Sequence, residues 1–203
     1  MSPVEKLKNA SPAAVQAATI LSAVEVGLGS LLHAFHVPMT GQFLSVNQAF
    51  ILSRAVSKSR GEPSARTLPS SVSNIAAILK SLSPAGKKLT PMLAISAQGF
   101  LMSLGTLVFG ANVVGCAIGA ILLGFWAFIQ PIAFYYLLFG EVLIEASQYY
   151  LGEKNLILAV AAAFTLKSLA CLAAAIGAFA LPRTVLLRYE QKMIEAGEKI
   201  RDK

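Results

Sequence analysis

Charged residues are missing from long tracts of this chain, and their absence most constrains what it can fold into. Between Met92 and Gly140 there is no Asp, Glu, Lys, Arg or His, and residues 156–181 contain only Lys167. Residues 13–32 likewise contain a single charge, Glu25. A helix needs about 20 consecutive apolar residues to cross a bilayer, so tracts of this length predict transmembrane helices.

The apolar tracts divide into six predicted spans within one membrane domain that covers residues 1–203. Tight breaks separate the later spans, at 110–112, 130–131 and 152–155. We therefore expect an all-α integral membrane protein built as a bundle of six transmembrane helices. Their approximate bounds are 12–35, 39–56, 92–109, 111–130, 132–151 and 156–181.

Basic residues gather before the first span, between the second and third, and after the last. Cytoplasmic loops of membrane proteins carry an excess of Lys and Arg, so this pattern predicts that both termini are cytoplasmic. It also predicts a basic cytoplasmic loop at about 57–91 and a cytoplasmic tail at about 182–203. The net charge of +7 is then a sign of topology, and no nucleic-acid partner is expected.

The predicted cytoplasmic loop contains a helical pattern. In "SSVSNIAAILKSL" the apolar residues fall on one stripe of a helix, whereas Ser and Lys80 lie elsewhere. We expect a short amphipathic helix that rests on the inner membrane surface, helped by anionic lipid. The alternative is a docking element for a partner. The stripe consists of Val72, Ile75, Leu79 and Leu82.

Charged side chains inside the spans need partners or a function. Placing a charge at the bilayer centre costs about 2.5–3.5 kcal/mol on insertion scales. Lys167 is the single charge of the sixth span, and Glu141 and Glu145 lie on one face of the fifth. We expect a structural ion pair between Lys167 and Glu141, with Glu145 as the alternative acid.

Polar residues crowd the connection between the first two spans. His33 and His36 end the first span, and amides and a hydroxyl follow the break at 38–41. We expect these groups, with the outer halves of spans one and five, to line an external cavity for a small organic solute. The alternative is that they are interfacial or hold helices together. The predicted substrate-binding residues are His33, His36, Gln42, Ser45, Asn47, Gln48, Glu25, Glu141 and Glu145.

Signatures of catalysis are absent from the sequence. It has no Gly-rich phosphate loop, no HExxH and no nucleophile elbow, so we expect no enzyme, no cofactor and no catalytic residue. The i, i+3 spacing of His33 and His36 leaves an intramembrane enzyme or metal site with Glu25 as an alternative. Cys116 and Cys171 lie inside apolar tracts, which favours small packing residues over a disulfide or zinc site.

The layout resembles the substrate-binding (S) components of energy-coupling factor (ECF) transporters. The resemblance rests on the size, the six spans with both ends inside, and the polar outer loop after the first span. In that family an Ala-x-x-x-Ala signature on the first helix packs on a transmembrane coupling protein. Here Ala13 and Ala17, and Ala14 and Ala18, occupy the matching place.

The resemblance implies a substrate-binding subunit for uptake of a vitamin or similar solute across the bacterial plasma (inner) membrane. A coupling protein and ATPase subunits would then be the partners, since no nucleotide-binding motif occurs in this chain. Membrane lipid and the small-molecule solute are the other partners expected. The alternative is a non-transport membrane subunit that scaffolds or recruits partners through its basic loop and tail.

Overall fold

Helices make up nearly all of the structure. The computed structural model describes residues 12–35, 40–81, 89–142, 145, 149 and 152–181, and the predicted all-α class is confirmed. A π-helical segment, Val24–Leu28, joins α1 to α2, and a 3-10 turn, Pro63–Arg66, precedes α4. The helices are α1 (Pro12–Ala23), α2 (Gly29–Ala34), α3 (Thr40–Lys58), α4 (Leu68–Ser81), α5 (Leu89–Phe109), α6 (Val113–Phe139) and α7 (Glu153–Ala180).

The most polar long helix, α3, lies at the centre of the bundle. It contacts α1, α4, α5, α6 and α7, and these five pack side by side around it in that order. Amides and hydroxyls in a membrane protein need protein partners, because lipid offers none. A central position supplies those partners, which explains how so polar a segment belongs to so apolar a chain.

The long helices alternate in direction along the chain. Lys80 of α4 reaches Glu25 of α1, Ser70 of α4 bonds Ser103 of α5, and Arg54 of α3 reaches Ala178 of α7. One end of the bundle therefore contains the start of α1, the α3–α4 connection, the α5–α6 turn and the end of α7. We call it the basic end, after Arg54, Lys58, Arg60 and Arg66, and the other the distal end.

The helix predicted to lie in a cytoplasmic loop belongs to the bundle, which corrects that placement. α4 packs between α1 and α5 and buries Val72, Ser73, Ala76 and Ala77. A Cβ on residue 99 would lie 2.2 Å from the Ser73 Cβ, so small residues let α4 and α5 approach closely. The buried face is thus mostly small, and of the predicted stripe Ile75 and Leu79 are half-buried while Leu82 lies outside the described residues.

The predicted break at 130–131 does not occur, because α6 runs unbroken from Val113 to Phe139. The predicted fifth span, 132–151, lies partly in α6, and most of its remainder is outside the described residues. Proline inside a helix lacks an N–H and leaves the carbonyl four residues earlier without its bond. Here that carbonyl belongs to Ala127, and Gln42 Nε2 donates to it over 3.2 Å. A neighbouring helix thus supplies the hydrogen bond that Pro131 removes.

Among the described residues, two helical segments are long and apolar enough to cross a membrane, Leu89–Phe109 and Ile157–Ala180. Shorter apolar segments occupy Ala14–Leu28 and Val113–Ala127. The second long segment leaves large apolar side chains uncovered, with Leu158 69% and Leu166 72% exposed.

Candidate functional site

The polar side chains of α3 point to two different sides of the helix. Gln42 and Ser45 meet α6 and α7, whereas Gln48 meets α4 and α5. Asn47 is half-buried on the same helix. The residues predicted to line one external cavity are therefore separated, and three of them are bonded to other helices.

Lys167 of α7 is buried, and its ammonium group is held by α3. Nζ donates to the backbone carbonyl of Gln42 and to Ser45 Oγ, which itself donates to the same carbonyl over 2.9 Å. The predicted partner Glu141 is exposed, and so is Glu145. Lys167 therefore contacts α3, and the predicted ion pair with Glu141 or Glu145 is not seen. Lys167 donates a proton to the Ser45 hydroxyl in this hydrogen bond and does not accept one. The contact therefore joins α3 and α7 and does not make Ser45 a nucleophile.

Gln48 is fully buried and joins three helices. Its Nε2 donates to Ser73 Oγ of α4 over 3.1 Å and to the Ile95 carbonyl of α5 over 3.0 Å. Both partners lie in the interior of the bundle. Gln48 therefore connects α3, α4 and α5 in the interior of the bundle.

Arg54 joins two helices at the basic end of the bundle. One guanidinium nitrogen donates to the carbonyls of Ala178, over 2.9 Å, and Leu181, over 3.2 Å. These carbonyls lie at the C-terminus of α7, where backbone acceptors lack helical partners and the helix dipole favours a cation. Arg54 thus ties the end of α3 to the end of α7.

Opposite charges meet at the π-helical segment of the first helix. Glu25 lies in this segment and is 5% exposed, and Lys80 of α4 is 8% exposed. Lys80 Nζ donates to the Glu25 backbone carbonyl over 2.7 Å, which brings the amine next to the segment that carries the acid. A carbon on Gly29 would approach Leu44 to 3.3 Å and Lys80 Nζ to 4.0 Å, so glycine leaves room beside the ammonium group.

This pair of charges, which we call the Glu25–Lys80 site, is the best candidate for ligand binding. π-Helical segments occur often at functional sites, because the wider turn leaves a carbonyl for another donor. Single π-type segments in a membrane helix also tolerate a polar partner from a neighbour. A buried acid and a buried ammonium group on neighbouring helices offer complementary groups for a zwitterion.

The remaining predicted residues fall at several places. His36 lies outside the described residues, and only the backbone of His33 and Ala13 is described. Ala14, Ala17 and Ala18 are buried within the chain, where α1 packs against α4 and α3. The face predicted to bind a coupling protein is therefore covered by the chain's own helices. Cys116 and Cys171 are free and buried, and no metal-ligating cluster occurs among the described residues.

Sequence reasoning missed Lys80 as an interior residue, because it was assigned to a cytoplasmic loop, and it counted Arg54 only among the basic residues that set the topology. A signal for Lys80 was present: it follows Val72 and Ala76 at intervals of four, on the face that α4 buries. Arg54 has no comparable signal, since its partners come from α7.

No protein-family model matches this chain, and comparison with curated proteins and with solved structures finds no similar protein.

Proposed function

We propose that this chain is a multi-pass membrane protein with its basic end in the cytoplasm. The exposed apolar residues of α5, α6 and α7 support lipid contact, since a soluble protein rarely leaves so large an apolar surface uncovered. The positive-inside rule supports the orientation. Of the 17 Lys and Arg, four lie at the basic end, two precede α1 in the sequence and six follow α7: Arg54, Lys58, Arg60 and Arg66; Lys6 and Lys8; Arg183, Arg188, Lys192, Lys199, Arg201 and Lys203.

The function that the geometry supports best is binding of a small zwitterionic solute at the Glu25–Lys80 site. One observation carries this proposal: an acid and an ammonium group are buried together on a π-helical segment of an apolar bundle. Buried ionisable residues in membrane proteins are costly, and they commonly mark substrate pathways. The solute's ammonium would face the Glu25 carboxylate and its carboxylate would face Lys80.

The chain would serve as the substrate-binding subunit of an uptake transporter that a separate ATPase module energises. The buried alanines of α1 mean that a coupling protein would contact a different face from the one that the family resemblance implies. Such a partner should be recovered with the chain from native membranes, and the absence of any ATPase or coupling subunit would count against this role.

The solute site is tested by thermal unfolding of the purified full chain in detergent. A panel of amino acids, betaines and zwitterionic vitamins serves as the set of probes. A solute at 100 times its Kd should stabilise the folded protein by about 2.7 kcal/mol, which raises Tm. Glu25→Gln and Lys80→Met should each remove the Tm shift, because each loses one of the two complementary charges.

Lys154→Met is the matched control, since it removes an exposed lysine at the distal end. It should leave the shift unchanged. The proposal is contradicted if no probe raises Tm, or if the shift survives in Glu25→Gln.

A second candidate function is a non-transport membrane subunit that scaffolds partners. The observation that favours it is that Gln48, Arg54, Lys80 and Lys167 all donate to backbone carbonyls of neighbouring helices. These polar groups would then only hold the bundle together. Under this function Glu25→Gln alters stability without altering the response to any solute.

A further inference from the structure

A cavity opens at the basic end between two connections that are far apart in sequence. The connection between α3 and α4 forms one wall and the α5–α6 turn forms the other. The volume of the cavity is about 520 Å3. This volume is in the range of small-molecule sites. The lining residues are Arg60, Gly61, Glu62, Pro63, Arg66 and 110–112.

The walls of this cavity are fixed by hydrogen bonds to the bundle. Thr106 Oγ1 of α5 donates to the Arg66 carbonyl over 2.6 Å, and the Ser70 N–H donates to Ser103 Oγ over 2.8 Å. Ala65 between the two arginines is fully buried. The connection therefore lies against α5 between Arg66 and Ser70, which fixes the backbone that carries Arg66.

Both arginine side chains are available to a ligand. Arg60 and Arg66 are exposed, and within the described ranges neither guanidinium has a hydrogen-bond or ion-pair partner. Glu62 lines the same cavity, and its carboxylate accepts from Ser64 Oγ at 3.5 Å, a weak contact. Two cations against one carboxylate leave the cavity with an excess of positive charge.

The start of α6 adds to this charge. Asn112 lines the cavity and caps the 27-residue α6, accepting from the Gly115 N–H over 3.0 Å. The helix dipole is positive at this end of α6. The arginines and the helix start thus favour the same ligand charge.

We propose that this cavity binds the phosphate group of an anionic organic molecule, held by Arg60 and Arg66. Guanidinium groups match phosphate geometry and bind it through paired hydrogen bonds. The cavity exceeds what one inorganic phosphate fills, so the ligand has an organic part. A phospholipid headgroup and a soluble phosphate ester share this chemistry. The inference does not depend on solute binding at the Glu25–Lys80 site.

The test measures binding to the full chain in detergent with four probes. The lipid pair is short-chain phosphatidylglycerol against short-chain phosphatidylcholine, and the soluble pair is glycerol 3-phosphate against glycerol. We expect phosphatidylglycerol or glycerol 3-phosphate to bind more tightly than its uncharged or zwitterionic counterpart. Binding of phosphatidylglycerol alone identifies a lipid ligand, and binding of glycerol 3-phosphate alone identifies a soluble one.

Substitutions of the lining residues test whether the charged probes bind in this cavity. Arg60→Gln and Arg66→Gln should each weaken it about tenfold or more, the expected effect of losing hydrogen bonds to a charged group. Glu62→Gln should strengthen binding, because it removes the carboxylate. Lys58→Gln removes a charge from the same end without lining the cavity and should change affinity less than threefold.

The proposal is overturned if neither charged probe is preferred over its counterpart. It is equally overturned if both arginine variants bind as the wild type does, or if Lys58→Gln weakens binding as much as they do. Should the arginine variants fail to fold, Glu62→Gln decides: unchanged or weaker binding rejects the site. None of these results bears on the Tm shift expected from zwitterionic solutes.

Discussion

At the scale of single residues, side chains of one helix donate to backbone carbonyls of another. Gln42 donates to the Ala127 carbonyl that Pro131 frees, and Lys80 donates to Glu25 within the π-helical segment. A buried acceptor that is left without a donor costs about 1–3 kcal/mol. The sequence identified Gln42 and Glu25 as unusual. Their partners could not be predicted, because pairing depends on which helices are neighbours.

We predict that Gln42 and Pro131 are energetically coupled. Gln42→Ala should lower the free energy of unfolding by about 1–2 kcal/mol, since it leaves the Ala127 carbonyl unbonded. In a Pro131→Ala background the loss should be smaller by about 0.6–1.7 kcal/mol, because a backbone N–H at position 131 then bonds that carbonyl. Reversible denaturation in mixed micelles measures all four proteins of this cycle.

Asn47→Ala is the control, since Asn47 is half-buried on the same helix. Its effect should add to that of Pro131→Ala within about 0.5 kcal/mol. An additive result for Gln42 as well would mean that the amide does not serve the carbonyl freed by proline.

At the scale of helices, the bounds of α3 and α5 were predicted within about three residues, because polar or breaking residues flank an apolar run. α4 was placed outside the bundle, since it is short and its buried face includes Ser73, Ala76, Ala77 and the charged Lys80. α6 was predicted as two spans, because a proline normally ends a helix. The side chain that donates to the freed carbonyl is Gln42, 85 residues before Ala127 in the sequence.

Close packing of α5 on α6 gives the prediction at this scale. A Cβ on residue 105 would lie 2.4 Å from the Gly119 backbone nitrogen and 2.5 Å from the Gly115 oxygen. Gly105→Ala should therefore force the helices apart and cost about 1–3 kcal/mol. Thermal unfolding in detergent measures the loss.

Gly177→Ala in α7 is the matched change, because nothing lies within 4 Å of a Cβ there. It should leave stability unchanged or raise it by up to about 1 kcal/mol, since alanine favours a helix over glycine. Equal effects of the two substitutions would show that α5 and α6 are not in backbone contact.

At the scale of the whole molecule, the sequence predicted that both termini are cytoplasmic. In the structure the start of α1 and the end of α7 lie at the same end of the bundle. Six spans with cytoplasmic termini put the turn at 110–112 on the outside. That prediction did not count α4 among the helices that alternate in direction. In the structure this turn lines a cavity with Arg60 and Arg66. One additional helix before α5 reverses the direction of α5 and α6.

Labelling of single cysteines from each side of the membrane tests this arrangement most directly. In a chain carrying Cys116→Ala and Cys171→Ala, the variants Ser64→Cys, Ala111→Cys and Asn155→Cys are exposed to an impermeant thiol reagent in oriented vesicles. The first two positions belong to the basic end and the third to the distal end. We predict that Ser64→Cys and Ala111→Cys react from the cytoplasmic side and Asn155→Cys from the outside. Reaction of Ala111→Cys and Ser64→Cys from opposite sides would contradict the account.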